Sequence, residues 1–586
     1  MTDLLIRNGT LADGTGAAAR SADILVENGR ILEVVDGGGA DPAGARQVID
    51  AQGQLVTPGF VDPHTHYDGQ VTWDPILGPS SWHGVTTVVM GNCGVGFAPA
   101  DPKRHAWLIE LMEGVEDIPG SALSDGITWT WESFSEYLDA LESMDRSIDV
   151  AAQVPHGSLR AYVMGDRGAR NEHATAGDLD AMATIVRESA LDGAVGFATN
   201  RLPLHTSIHG DPVPGTFADE EELRAMLIAL REAGQGIAQI VPAGAMGEDR
   251  DAPLREIELY RRLSIDTGRR ITFTLAQIQT DPKHWIDVLE AVERANAEGA
   301  RLVPQVAGRP AGLLLSFDTF NPFMERPSYQ QLAGLPLAAR LERLLDSDVR
   351  KAILSEGDHD SVSMKMMMNS LDTTFALDRG PAFEPSWEES IQARVEASGR
   401  PADEVVFDAM CEVSRNADPA GGRPGFLHVY FSGYKGGSLD DLGEMMRHPD
   451  TVVGLADGGA HCSMMCDASL PTYMLQHWVR DRTRGPRLPV EEAVRMLSRD
   501  PAYLYELFDR GTVERGKRAD LNVIDLDALS LAVPEVRHDL PTDAPRVVQR
   551  ATGYRATIVA GEVTFRDGEP TEARPGRLVR GPQPAA

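Results

Sequence analysis

Residues 55–69 read LVTPGFVDPHTHYDG, a short apolar strand that turns at Pro58-Gly59 and ends in His64-Thr65-His66. Two histidines separated by one residue project on the same side of a strand, which is a geometry suited to holding one metal ion. In a parallel barrel, the carboxyl ends of the strands line the active mouth. The stretch therefore predicts a metal site at the end of the first strand of such a barrel, with paired surface histidines as the alternative.

The chain after this stretch alternates short apolar runs with amphipathic helical segments. That alternation is typical of βα units around a parallel sheet that is buried on both faces. Eight candidate strands predict an α/β fold, a TIM-like (β/α)8 barrel. The candidate strands are Leu55–Asp62, Thr86–Met90, Ile148–Val154, Ala194–Thr199, Gly236–Val241, Ile271–Gln277, Arg301–Gln305 and Thr451–Ala456.

Both ends of the chain carry a different pattern, in which short strands are joined by tight turns. Neither end has enough strands for a sheet of its own, so we expect 1–57 and 510–570 to pair into one small split β-sandwich domain. The barrel would then span 58–509. The gap at about 308–450 is too long for a loop and predicts an inserted, lid-like subdomain. Residues 571–586, rich in Pro, Arg and Gly, predict an extended C-terminal arm.

The composition excludes several classes of protein. The 586 residues are 42% hydrophobic and 24% charged, and the formal net charge of −33 indicates a solvated acidic surface. Such a charge repels phosphate backbones and anionic membranes, so we expect neither nucleic acid nor a membrane as a partner. With only four cysteines and no signal-peptide pattern, we expect a cytoplasmic protein that acts on a small-molecule substrate. Assembly into a homo-oligomer is left open.

Several motifs carry a likeness to a known family. The opening stretch resembles the start of the amidohydrolase superfamily, and TTVVMGNCGVGFAP at 86–99 resembles the second-strand signature of its N-acyl-D-amino-acid deacylase, or D-aminoacylase, family. The likeness extends to QVPHGSLR, GAVGFATN, LADGGAH and the C-terminal ADLNVIDL and RATIVAGEV. It implies a metal-dependent hydrolase with a barrel fold.

The resemblance also implies roles for four residues. His64 and His66 would sit in one metal position, Cys93 would supply a metal-bound thiolate, and Asp457 would be the catalytic carboxylate. These four residues together, Asp457 included as a metal ligand, could bind a single ion. Their chemistry agrees, because a thiolate is a soft zinc ligand and Cys93 lies in a Gly-rich turn just past a strand. Asp457 follows an apolar strand, so its carboxylate would reach an attacking water. A buried structural cysteine and a turn-capping aspartate are the alternatives.

The sequence departs from the family at the fifth and sixth strands, which in typical members each end in a histidine ligand. Here the fifth reads GIAQIVPAG and contains Gln239, and the sixth reads ITFTLAQIQ and contains Gln277. A neutral amide is a poor zinc ligand beside imidazole. We therefore predict a reduced site for one divalent metal ion, with zinc preferred, rather than two.

Other residues of the strand ends and mouth loops are candidates for substrate contact. His156 ends the third strand and is predicted to orient the substrate or polarise its carbonyl, with a structural hydrogen bond as the alternative. A substrate carboxylate would need a cationic partner. The substrate-binding candidates are Arg201, Arg309 and Lys435 as cations, together with His205, His209, Gln239, Gln277 and His461.

Together these features predict a metal-dependent hydrolase of a carbon–nitrogen amide bond, in an N-acyl (D-)amino acid or a related compound. Asp457 would take a proton from a metal-activated water and return it to the leaving amine. The absence of the two histidines leaves open hydrolysis of a cyclic amide, ester or lactone. It also leaves open a degenerate barrel that serves as a binding or assembly subunit.

Overall fold

The computed structural model describes residues 2–356, 368–377, 383–417 and 424–585. Within these residues the strands form a parallel barrel, a large sheet built from both ends of the chain, and three small sheets. In chain order the strands are β1 (Thr2–Leu11), β2 (Arg20–Glu27), β3 (Arg30–Asp36), β4 (Ala45–Asp50), β5 (Leu55–Pro58), β6 (Phe60–Asp62), β7 (Val85–Met90), β8 (Asp149–Pro155), β9 (Gly196–Asn200), β10 (Ile237–Val241), β11 (Ile271–Thr274), β12 (Leu302–Ala307), β13 (Ala311–Leu315), β14 (Thr374–Ala376), β15 (Leu427–Ser432), β16 (Val452–Gly454), β17 (Leu521–Ile524), β18 (Ser530–Leu531), β19 (Glu535–Leu540), β20 (Ala544–Val548), β21 (Ala551–Thr552), β22 (Tyr554–Val559), β23 (Glu562–Arg566) and β24 (Glu569–Pro570).

The barrel confirms the predicted TIM-like fold. Its eight strands are parallel neighbours in the order β6, β7, β8, β9, β10, β11, β12 and β16, and each corresponds to one of the predicted segments. Nearly all their residues are buried, as expected for a sheet that is covered on both faces. The first and last strands approach each other just past their carboxyl ends, where Thr65 forms a bridge with Gly458.

The first predicted strand, Leu55–Asp62, is divided between two sheets. Leu55–Pro58 forms β5 of the terminal sheet, and Phe60–Asp62 forms β6 of the barrel. Gly59 lies between them, and a Cβ atom there would lie 2.1 Å from Thr86 Oγ1. A side chain at this position would collide with β7, so the chain needs a glycine to pass from one sheet into the other.

Helices connect most of the successive barrel strands and pack apolar faces against them. No helix in the described part of the chain is long and apolar enough to cross a membrane. The α-helices are α1 (His105–Glu116), α2 (Gly120–Gly126), α3 (Phe134–Glu142), α4 (His156–Met164), α5 (Asp166–Ala169), α6 (Ala176–Asp192), α7 (Glu220–Ala233), α8 (Ala252–Thr267), α9 (His284–Ala297), α10 (Pro327–Gln330), α11 (Leu337–Leu344), α12 (Ser347–Ser355), α13 (Ile391–Ser398), α14 (Ala402–Asn416), α15 (Asp440–Arg447), α16 (Leu470–Tyr473), α17 (Val490–Leu497) and α18 (Arg499–Leu504), and a π-helix spans Met474–Asp481.

The terminal sheet joins the two ends of the chain. Its order is β24, β23, β22, β17, β5, β1, β2 and β3, with β4 paired to β1. Leu4, Ile24, Val56, Val523 and Ile558 share one buried apolar cluster, so strands from both ends bury the same core. The split β domain is therefore present as one nine-stranded sheet among the described residues, while its limits at 1–57 and 510–570 stay a prediction.

A separate subdomain lies between β12 and β16. It contains the antiparallel sheet β13-β15-β14 and helices α10 to α14, with its own apolar cluster around Phe317, Phe323 and Phe407. Its segments 357–367, 378–382 and 418–423 lie outside the described residues. The role of this subdomain as a lid stays a prediction.

The C-terminal segment runs along the start of β8. The Val579 amide donates to the Val150 carbonyl at 2.7 Å, the Gly576 amide donates to the Arg146 carbonyl at 2.9 Å, and Leu578 and Val579 are buried. The predicted arm is therefore packed against the barrel along this stretch.

A buried ion-pair cluster ties the start of β8 to the C-terminal part of the chain. The Asp149 carboxylate, which is fully buried, accepts hydrogen bonds from Arg510 at 2.7 Å, from Arg518 at 2.8 Å and from the Arg577 amide at 2.8 Å. Arg510 also pairs with Asp509 at 2.9 Å, and Arg518 with Asp520 at 3.2 Å. Removal of the Asp149 charge would therefore take away one partner of each arginine and leave the other in place.

Asp149→Asn should therefore lower the free energy of unfolding by about 1–3 kcal/mol, because buried hydrogen bonds lose their charged acceptor. Urea unfolding followed by circular dichroism measures this loss. Asp145→Asn, at an exposed position four residues earlier, is the control and should unfold like the wild type. Equal midpoints for Asp149→Asn and the wild type would show that the cluster does not stabilise the fold.

Candidate metal centre

His64 and His66 follow β6 directly and lie at the carboxyl end of the barrel, each 1% exposed. The Thr65 amide donates to the Val89 carbonyl at 3.0 Å, and the His66 amide donates to the Gly458 carbonyl at 2.8 Å. The segment is thus held between β7 and the chain that follows β16. This backbone placement brings both imidazoles to one side of the segment, with their ring centres 5.5 Å apart.

Each imidazole has an acceptor behind its Nδ1 atom. His64 Nδ1 lies 3.0 Å from Gln305 Oε1, and His66 Nδ1 lies 3.4 Å from Glu116 Oε1. An imidazole that carries its proton on Nδ1 presents an Nε2 lone pair to a metal. Outer partners of this kind are how proteins orient metal-binding histidines, so both Nε2 atoms are arranged to bind.

Cys93 lies in a tight turn at Asn92–Gly94, just past β7. Gly91 and Cys93 both adopt the left-handed conformation, with φ of 85° and 55°, and a Cβ at Gly91 would lie 2.5 Å from the Gln153 carbonyl oxygen. The Asn92 side chain donates to the Val89 carbonyl at 2.9 Å. The turn is thereby fixed with the Cys93 thiol directed to the two histidines.

The three donor atoms fit a single metal ion. His64 Nε2, His66 Nε2 and Cys93 Sγ all lie within 4.8 Å of one another, and Sγ is 3.4 Å and 3.9 Å from the two nitrogens. Ligands of a tetrahedral zinc ion, at bond lengths of about 2.0–2.3 Å, stand about 3.3–3.8 Å apart. Two imidazoles and a thiol are also the donor types that zinc prefers.

Burial controls the charges of these donors. It raises the pKa of the Cys93 thiol to about 12, an effect to which the Glu116 charge adds. It lowers the pKa of His64 to about 4, so this imidazole is neutral near pH 7. Without a cation the thiol therefore keeps its proton, and a metal ion would have to displace it.

Asp457 lies beside the two imidazoles, just after β16. Its Oδ1 atom is 3.4 Å from His64 Nε2 and 3.6 Å from His66 Nε2, and its side chain is 22% exposed. Burial alone would raise the pKa of this carboxyl, but the hydrogen bond to His66 and the charges of the nearby histidines hold it well below its usual value. Asp457 is therefore an ionised base with access to solvent.

Glu116 is a residue of the centre that the sequence analysis missed. It ends α1, is 1% exposed, and places Oε2 3.7 Å from His461 Nε2. A signal was present, because Glu116 continues the buried face of α1 that contains Leu108, Leu111 and Met112. A glutamate on an apolar helical face has a buried partner more often than not.

Comparison with known proteins agrees with this fold. Residues 47–565 match the model of the Amidohydrolase family. The chain belongs to the amidohydrolase family. As predicted, it is an enzyme, a hydrolase acting on carbon–nitrogen bonds other than peptide bonds.

This amidohydrolase has relatives over its whole length. An N-acyl-D-aspartate deacylase of Alcaligenes xylosoxydans xylosoxydans is 27% identical over 588 residues, covering 98% of this chain and 95% of the relative. The structure of N-acyl-D-glutamate deacylase from Bordetella bronchiseptica has a TM-score of 0.65 at 24% identity, and a D-aminoacylase structure has a TM-score of 0.64 at 23% identity. Each alignment covers 99% of this chain and 100% of the other.

The two glutamines of the fifth and sixth strands are placed differently in this amidohydrolase. Gln239 is fully buried, and its Oε1 accepts from the Cys93 amide at 3.0 Å, so it supports the Cys93 turn. Gln277 instead donates to Asp441 at 2.8 Å and accepts from the Lys435 amide at 2.9 Å. Gln239 adjoins the centre, whereas both functional groups of Gln277 are engaged by α15 and the segment before it.

His156 has no ring nitrogen free for a substrate. Its Nδ1 lies 2.8 Å from the Thr199 hydroxyl, and its Nε2 lies 2.8 Å from Glu222, which also pairs with Arg160. The predicted polarisation of a substrate carbonyl has no donor in this arrangement, because the glutamate and the hydroxyl occupy both nitrogens. His156 therefore makes structural hydrogen bonds, which was the alternative to a role in substrate binding.

Each of the three cations predicted to bind a substrate carboxylate has a carboxylate partner within the protein. A guanidinium or ammonium group that is already paired is a weaker site for a second carboxylate. The pairs are Arg201–Glu256 at 2.6 Å, Arg309–Asp467 at 3.2 Å and Lys435–Asp372 at 2.6 Å. These pairings could not be read from the sequence, because the partners lie 55 to 158 positions away or in the insertion.

The three remaining histidines divide into two groups. Burial, together with the charges of His461 and His66, lowers the pKa of His205 to about 3. His205 is therefore close enough to the metal centre for its pKa to be affected by the charges there. His461 contacts Glu116 and also belongs to the centre. His209 is 61% exposed and lies 3.3 Å from Glu110, so it faces the surface.

Metal loading should release protons. Because a pKa of about 12 keeps the Cys93 thiol protonated near pH 7, zinc uptake by the metal-free protein should expel at least one proton, and the apparent affinity should rise with pH. Isothermal titration calorimetry in buffers of different ionisation enthalpy counts these protons.

Cys93→Ser should bind zinc more weakly and release one proton fewer. Cys411→Ser removes another buried thiol, in the insertion, and should match the wild type. Proton release that is the same in Cys93→Ser and the wild type would exclude Cys93 as a ligand.

Proposed function

We propose that this amidohydrolase binds one divalent metal ion, zinc, through His64, His66 and Cys93 and hydrolyses an amide bond with Asp457 as its base. One observation carries the proposal. Three metal-binding donor atoms lie within 4.8 Å of one another at the barrel mouth, and an ionised, partly exposed carboxylate stands 3.4 Å from one of them. Apolar residues at these positions would stabilise the fold at least as well, so stability alone does not explain this set of polar groups.

When bound there, a divalent ion supplies polarisation of the scissile carbonyl and acidification of the attacking water. Asp457 is positioned to take a proton from that water, because its carboxylate is ionised and faces both imidazoles. The protonated carboxyl then donates to the leaving nitrogen as the carbon–nitrogen bond breaks. His64 is oriented by its hydrogen bond to Gln305, and His66 by its ion-pair contact with Glu116.

The fifth and sixth strands support occupancy by one ion. Gln239 is committed to the Cys93 amide, and Gln277 to Asp441 and Lys435. Neither amide is a strong zinc ligand. In the D-aminoacylase of similar fold, one metal activates the enzyme and a second attenuates it. A single ion in this chain is consistent with that behaviour.

The first candidate substrate is an N-acyl amino acid, of the D configuration, or a related compound. Two relatives that align over nearly the whole chain are an N-acyl-D-aspartate deacylase and an N-acyl-D-glutamate deacylase. Hydrolysis of such a compound would release a carboxylate and an amine, which matches a centre that activates water beside a proton donor and acceptor.

A second candidate is an uncharged cyclic amide, ester or lactone. The engagement of Arg201, Arg309 and Lys435 by internal carboxylates favours it, because none of these three is then available for the carboxylate of an amino acid. The metal centre itself would serve either reaction.

The strong negative charge of the chain bears on its partners. We propose a small-molecule substrate and no binding to nucleic acid or membranes, as the net charge of −33 suggests. A cytoplasmic location and assembly into a homo-oligomer stay predictions from the sequence.

Asp457→Asn should retain zinc and lose turnover by about 10²–10⁴-fold, because the amide cannot accept the proton. The measurements are the zinc content of the dialysed protein and kcat on a substrate that the wild type cleaves. Asp450→Asn lies at the other end of the same strand and is the control, with unchanged kcat expected. An active Asp457→Asn enzyme would remove Asp457 as the base.

A substrate panel separates the candidates. We expect zinc-loaded enzyme to hydrolyse N-acyl-D-amino acids faster than their L-enantiomers, measured by release of free amine. Turnover confined to uncharged cyclic amides, esters or lactones would favour the second candidate instead. A protein that binds zinc but cleaves none of these compounds would overturn both candidate substrates.

A further inference from the structure

Glu116 is a buried carboxylate to which the proposed mechanism assigns no chemical step. Its Oε1 lies 3.4 Å from His66 Nδ1, and its Oε2 lies 3.7 Å from His461 Nε2. Glu116 Oε1 and His66 Nδ1 are both buried and have no hydrogen-bond partner among the described residues, so they face each other as an ion-pair contact. The carboxylate therefore lies between an imidazole that follows β6 and an imidazole in the segment that follows β16.

The backbone around Glu116 fixes the position of its side chain. Asp117 ends α1 with φ of 51°, and the Glu116 carbonyl accepts from the His461 amide at 2.5 Å. The Asp117 carbonyl accepts from the Cys462 amide at 3.1 Å, and its side chain accepts from the Ser463 amide at 2.8 Å and hydroxyl at 2.7 Å. Asp117 therefore holds the segment after β16, while Glu116 faces the imidazoles.

The charge of Glu116 distinguishes the two histidines. His64 Nδ1 faces the neutral amide oxygen of Gln305, whereas His66 Nδ1 faces a carboxylate. Within the described part of the chain, the ion-pair partners of Glu116 are the two imidazoles, with no lysine or arginine beside it. A buried carboxylate is costly unless it has such partners, so its presence here needs a reason.

We infer that Glu116 is a positioning residue of the metal centre: it accepts the Nδ1 proton of His66 and so directs the His66 Nε2 lone pair to the ion beside Cys93. This role rests on the proposed function, because it takes His66 as a ligand. A carboxylate behind an imidazole fixes its tautomer and makes it a more basic ligand than an amide would.

The test compares Glu116→Gln with the wild type and with Asp117→Asn. Asp117→Asn is the matched control, since it alters the neighbouring carboxylate and its bonds to Ser463 but leaves the contact with His66. Zinc affinity is measured by competition with a chromogenic chelator, the cobalt-loaded protein is examined by its visible absorption spectrum, and the thermal midpoint is taken for the metal-free protein.

Glu116→Gln should weaken zinc binding by about 10–100-fold and change the cobalt spectrum, whereas Asp117→Asn should keep both at wild-type values. Wild-type zinc affinity and an unchanged spectrum in Glu116→Gln would overturn the role. An equal loss in Asp117→Asn would also overturn it, because the effect would then come from packing of the segment.

Glu116→Asp covers the case in which Glu116→Gln does not fold. It keeps the charge but withdraws it from His66 by one methylene group, so zinc affinity should fall here too, and wild-type affinity would overturn the role. A wild-type protein that takes up neither zinc nor cobalt would refute the proposed function and this role together. That outcome is distinct from an unaltered Glu116→Gln variant, which refutes the role alone.

Discussion

Closure of the barrel by the segment that carries the two histidines is the interaction on which the rest of the site depends. The Thr65 amide bonds to β7, and the His66 amide bonds to the Gly458 carbonyl. These bonds connect the first strand to the second on one side and to the end of the last strand on the other. Because Cys93 follows the second strand and Asp457 precedes Gly458, the same closure brings the thiol and the carboxylate to the imidazoles.

Buried polar groups from three other elements support this arrangement. Gln305 of β12 stands behind His64, Glu116 of α1 behind His66, and Gln239 of β10 behind the Cys93 turn. Burial holds the thiol protonated and keeps His64 neutral. Burial would also lower the pKa of His66, but the charge of Glu116 and the hydrogen bond to Asp457 raise it above its usual value. A divalent ion would replace the thiol proton and be bound by groups that the protein has already desolvated and oriented.

The sequence was sufficient for features that depend on local pattern. All eight barrel strands follow from short apolar runs, and His64 and His66 were identified by their position at a strand end. The roles of Cys93 and Asp457 came from the resemblance to the family, and their positions just after strands agreed with it. The split of the first strand at Gly59 was missed, since an unbroken apolar run does not show which sheet each half joins. Glu116 was also missed. Its partner His66 is 50 residues away in sequence, and the sequence of a helix end does not indicate which residues it contacts. Pairings such as Arg201 with Glu256 are set by the tertiary fold.

Zinc K-edge X-ray absorption of the loaded wild-type enzyme would identify the atoms that bind the ion. We expect one sulfur scatterer at about 2.3 Å together with imidazole nitrogens at about 2.0–2.1 Å. The sulfur contribution should disappear in Cys93→Ser and persist in Cys411→Ser. A wild-type zinc shell made only of oxygen and nitrogen would contradict the assignment of Cys93 and, with it, the centre described here.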